Sequence, residues 1–125
     1  LDRIDLQVRL NPVKPVELRS RSVPSEPSSQ VRARVICARQ RQINRAGGLN
    51  AHTGLAKFQQ HLMIQPAVKA FLEKTATQLE YSARGFNRVL RVAQTISDLA
   101  VSEEVTEEHV AEALQYRAFD RAGVT

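Results

Sequence analysis

Along residues 81–100, YSARGFNRVLRVAQTISDLA, apolar and polar positions recur at the period of an α-helix. Val89, Val92, Ala93, Ile96 and Leu99 cluster on one side, while Arg84, Arg88 and Arg91, at i, i+4 and i+7, line another. The spacing predicts a helix with a core face and an arginine face. Ser82 stands where an N-cap belongs, which puts Arg84 in the first turn. A cation there opposes the helix dipole at a cost of about 0.3–1 kcal/mol, and an anion resting on the same helix end reverses that sign.

Other segments repeat the helical period. The first helix opens at Ser28 or Ser29, runs to about Arg45 and stops at Gly47-Gly48. Its Val31/Val35/Ala38 stripe is expected to be buried. Arg32 and Arg39 would form a solvated flank on one side of it, and Arg34, Arg41 and Arg45 a flank on the other. A short helix follows over Gly54–His61. A third opens at Pro66 and carries Val68, Phe71, Leu72, Ala76 and Leu79. The last, TEEHVAEALQYR at 106–117, is capped by Thr106 with Glu107 and Glu108 in its first turn. Five helices in this space predict an all-α, compact bundle over residues 28–125.

The chain opens differently. From Ile4 the apolar positions alternate through Leu6, Val8 and Leu10, which predicts a strand. No other segment offers it a partner, so its sheet is expected upstream, in a longer protein of which this is a piece. Residues 11–27, rich in proline and serine, read as a flexible linker.

Composition narrows the picture. The net charge of +5 is uneven: residues 1–50 carry +6 and residues 51–125 carry −1, so a polyanion is a conceivable partner of the basic half. A single cysteine, Cys37, rules out an intrachain disulfide, fits a reducing, cytoplasmic setting and is expected to be a small packing residue. No apolar run reaches the length of a membrane span, so no membrane partner is expected. His52, His61 and His109 lack metal-ligand spacing, and no metal site is expected. Glu103, Glu104, Glu107 and Glu108 suit a solvated turn and a helix start better than an acid/base pair. No P-loop or hydrolase motif occurs, so these residues alone should not be catalytic.

Three stretches carry a family resemblance: GGLNA at 47–51, SARGFNRVLRVAQTISDLA at 82–100 and EEHVAEALQYR at 107–117. With LDRIDLQVRLNPV at the start, the chain resembles the C-terminal end of magnesium-chelatase-like AAA+ ATPases, in their ComM/YifB competence-protein branch. The resemblance implies that residues 1–10 are the last strand of an AAA+ core and 28–125 its helical lid. It implies that Arg3, in LDRID, is an arginine finger and that Arg84 is the sensor-2 residue at an ATP phosphate. Arg88 and Arg91 are weaker candidates for the same phosphate site or a neighbouring subunit, with a solvated helix face as the alternative.

The resemblance further implies ATP and magnesium as cofactors of the full-length protein, held largely by the missing core. Identical subunits would assemble in a ring, in all expectation a hexamer, working on DNA as a branch-migration motor in natural transformation. Two other readings stand beside it. The third and fourth helices could form a helix-turn-helix that reads DNA through the arginine stripe. Alternatively, the chain could be the lid of a chelatase subunit acting on a porphyrin.

Overall fold

The computed structural model describes Leu6 and residues 26–116. The strand, the linker, Arg3 and everything after Tyr116 otherwise lie outside the described residues. Five helices form: α1 (Ser28–Ala46), α2 (Leu55–His61), α3 (Pro66–Gln78), α4 (Ala83–Leu99) and α5 (Glu107–Gln115), with a 3₁₀ turn at Asn50–His52. The fold is an all-α bundle. Helix α4 lies at its centre and packs on both α1 and α5.

Local sequence signals set the helix ends. Pro66 occupies the first turn of α3, where its missing N–H costs nothing. Gly47 ends α1 in the left-handed region (φ 79°) and donates its N–H to the Ile43 carbonyl at 2.7 Å. Ser82 Oγ accepts the Gly85 N–H at 3.1 Å and so caps α4. At α5 the cap is reciprocal. Thr106 receives the His109 N–H, and the Thr106 N–H donates to His109 Nδ1 at 3.0 Å, so an imidazole stands where a glutamate usually closes such a box.

The core gathers Phe58, Leu72, Val89, Leu90, Val105 and Val110, each nearly or wholly withdrawn from solvent. It is aliphatic apart from one ring. A single parallel bridge, Ile64 to Val105, ties the loop before α3 to the loop before α5.

Helix α1 departs from expectation. Only Ala38 and Gln42 of it are buried; Val31 and Val35 are exposed, and Cys37 is exposed rather than packed. The reason is geometric. Arg45 meets Asp98 and Arg41 meets Ser102, so α1 runs antiparallel to α4 and passes its end near residue 41. The ten residues before Ala38 therefore extend about 15 Å past the helix they pack on. Periodicity marks which face a helix would bury, not how far its neighbour reaches.

The α4 core face also differs. Val89 and Ala93 are buried as expected, but Val92 and Ile96 are half-buried and Leu99 is exposed. Their place is taken by Gln94, Ser97 and Asp98, all within 1 % of complete burial. No helix among the described residues is long and apolar enough to cross a membrane.

Candidate functional site

The three arginines of α4 do not act as one stripe. Arg84 sits in the first turn, exposed, beside the Ser82 cap. Among the described residues it forms no ion pair. Its guanidinium is available to a ligand at the helix N-terminus, where backbone amides and dipole both favour an anion.

Arg91 turns inward. Its Nη1 donates to the Asn50 carbonyl and, at 2.7 Å, to the Thr53 carbonyl, and its guanidinium lies 4.9 Å from the centre of the Phe58 ring. Those contacts hold the segment between α1 and α2 against α4. The side chain is thus an internal brace. Arg88, one turn nearer Arg84, is half-buried and helps line a cavity of about 580 Å³. Val92, Ile96, Glu112 and Tyr116 form other walls of it, and Leu6 reaches its edge.

At the far end of α4 lies a buried polar network. The Asp98 side chain is fully withdrawn from solvent and forms a two-pronged ion pair with Arg45 of α1, whose side chain is 15 % exposed. Asn50 Nδ2 donates to the same carboxylate at 3.1 Å, and Gln94 Nε2 donates to it at 3.3 Å. The network spreads outward. The Asn50 N–H donates to Gln42 Oε1 at 2.8 Å, and the Met63 N–H donates to Gln94 Oε1 at 3.2 Å. A buried carboxylate needs such a full set of donors, and removing one partner from such a pair costs about 3–5 kcal/mol.

Sequence reasoning does not single out Asp98 or Asn50, and it places Arg45 on a solvated flank, whereas the Arg45 side chain is largely buried against the Asp98 carboxylate. One signal was present: Asp98 is the only acid in α4, and Arg45 belongs to a helix with no acid at all. No group of three or more metal-ligating side chains converges among the described residues.

The pattern of the magnesium chelatase, subunit ChlI C-terminal, family matches residues 25–117, three-quarters of the chain and the whole helical bundle. The chain belongs to that family. Within it, the chain is 38 % identical over 122 residues to YifB of Escherichia coli (strain K12), covering 97 % of this chain and 24 % of that protein. It is 35 % identical over 121 residues to the competence protein ComM of Haemophilus influenzae, with the same coverage. YifB of Salmonella typhimurium matches at 35 % over 121 residues. The chain thus spans about a quarter of the length of these relatives.

The bundle keeps α4 at its centre, which bears on the helix-turn-helix reading. A recognition helix presents a row of side chains outward to the groove. Here seven α4 residues are buried and Arg91 is committed to the protein interior. Only Arg84 of the three stands clear.

Proposed function

We propose that the bundle is the lid of a ring-forming, magnesium-chelatase-like ATPase that works on DNA, with Arg84 as its sensor for the nucleotide. The observation that carries the reading is the contrast on one helix. Arg84 is an exposed cation, without an ion-pair partner among the described residues, at a helix start that disfavours it, while Arg91 and Asp98 of the same helix are fully used inside the fold.

An ATP phosphate on the α4 N-terminus would accept hydrogen bonds from the Arg84 guanidinium and draw on the helix dipole. Because α4 is tied to α1 through Asp98–Arg45 and to the following loop through Arg91, a pull at Arg84 moves the bundle as one body. Arg3 would serve the nucleotide of the neighbouring subunit. Rate gains of about 10³–10⁵ are known where an arginine stabilises phosphoryl-transfer charge in this way. DNA as the substrate is carried by the resemblance to the competence-protein branch, to which the relative named competence protein ComM belongs. The test is ATP turnover of the full-length protein: Arg84→Ala is expected to reduce it at least tenfold, and Arg84→Lys to restore only part. Unchanged turnover in Arg84→Ala sinks the sensor assignment.

A further inference from the structure

Two features of the bundle have no use within it. The first is the overhanging half of α1. Every residue from Ser28 to Cys37 is exposed, and Val31 and Val35 form an apolar ridge on the face that Ala38 continues into the core. Arg32 and Arg39 border that ridge on one side, and among the described residues neither has an acidic partner. Arg34, on the other side, pairs with Glu26. An isolated helix of this length is marginal in water, and a ridge of valines gains nothing from exposure.

The second is Val101. It closes the C-terminus of α4 in the left-handed region (φ 55°), where glycine is the ordinary residue and a β-branched side chain is strained. Its side chain is 67 % exposed, so the strain obtains no packing in return within the bundle. Exposed Glu103 and Glu104 follow after Ser102; Glu104 Oε2 accepts from Gln65 Nε2 at 2.8 Å, and neither carboxylate forms an ion pair among the described residues. The turn's backbone serves the bundle, since the Ser102 N–H donates to the Ser97 carbonyl at 3.0 Å and the Ser102 carbonyl accepts from Arg41 at 2.7 Å, but the valine side chain stays exposed.

The two features are complementary in shape and charge: an apolar ridge bordered by arginines, and an apolar knob followed by glutamates. They do not meet in one copy, because Arg32 and Arg39 lie on the face of α1 opposite Arg41, the residue that touches the Ser102 carbonyl. We propose that the Val101–Glu104 turn of one copy docks on the Val31/Val35 ridge of a second copy, with Glu103 and Glu104 against Arg32 and Arg39. The valines favour a protein over a nucleic acid as occupant, since a phosphate backbone offers them nothing. The inference rests on the ring reading only for placing two copies side by side; it names the surfaces that touch.

The test is charge exchange in the full-length protein, followed by sedimentation with a non-hydrolysable ATP analogue. Arg32→Glu/Arg39→Glu and Glu103→Arg/Glu104→Arg are each expected to weaken self-assembly at least tenfold, and an equimolar mixture of the two to recover it. Val101→Gly supplies a second readout. It relieves the strained φ and is expected to raise the melting temperature while weakening assembly several-fold. If the wild type assembles and neither pair of substitutions changes it, the contact is wrong and the ring reading survives. A wild type that stays monomeric at every nucleotide state overturns both. Loss of DNA binding in Arg32→Glu/Arg39→Glu with assembly intact would reassign the ridge to nucleic acid and overturn the contact.

Discussion

The two ends of α4 are built to different purposes. At the C-terminal end Asp98 is buried, charged, and held by Arg45, Asn50 and Gln94 together. At the N-terminal end Arg84 is exposed, charged and without a partner among the described residues. Both ends carry a residue that a helix core would not choose. One is answered within the fold and the other is not. Burying a charge is tolerable only when its donors are already in place, so the Asp98 end must be rigid. Leaving a cation at a helix start costs little in water, so the Arg84 end can wait for a ligand. The difference teaches that one helix can anchor a domain and present a site, provided that the two tasks sit at opposite ends.

That contrast can be broken most severely at the anchored end. Asp98→Ala leaves Arg45 and Asn50 without their acceptor, and a loss of about 3–5 kcal/mol is expected in thermal or urea unfolding. Replacing both charges, Arg45→Met with Asp98→Leu, should recover most of it, because no buried charge is then orphaned. A loss below about 1 kcal/mol in Asp98→Ala, against the usual cost of breaking a buried pair, would mean the network does not hold the α4 end.

Arg91 comes next. Arg91→Ala gives up its bonds to two carbonyls and its seat on the Phe58 ring, for an expected loss of about 2–3 kcal/mol. Amide exchange should quicken around residues 50–53 before it does elsewhere, since that segment loses its tether. If the melting point holds and only ATP turnover falls, Arg91 is a ligand residue and the division along α4 is misplaced.

At the free end the expected effects on stability are small. A Cβ added to Gly85 would meet Ser82 Oγ at 3.5 Å and the Tyr81 side chain no closer than 3.7 Å, which is ordinary contact. Gly85→Ala should therefore stabilise α4, by about 0.5–1 kcal/mol in equilibrium unfolding. Destabilisation would show that the first turn is tighter than its contacts indicate.

The sequence made the helices legible because their ends carry residues with one physical role each. Pro66 cannot sit mid-helix, Gly47 accepts a φ that others resist, and Ser82 and Thr106 offer an oxygen to orphan amides. Arg84 was legible for the same reason, as a cation where the dipole disfavours one. The network behind it was not, since hydrophobic patterning assigns every charge to the surface and cannot see that Asp98 and Arg45 face one another across two helices. Arg91 was hidden likewise, because its spacing from Arg84 suggested one stripe while its length let it fold back onto the Asn50 and Thr53 carbonyls. Val101 escaped because nothing in a valine announces a left-handed turn.

The central claim is that Arg84 serves a ligand and not the fold. It is tested most directly by measuring, on one preparation of full-length Arg84→Ala, both unfolding free energy and ATP turnover. The account predicts stability unchanged or slightly raised, within about 0.5–1 kcal/mol since a clash with the helix dipole is removed, and turnover lowered by at least an order of magnitude. Wild-type turnover, or a fall in turnover matched by a loss of several kcal/mol in stability, would contradict it.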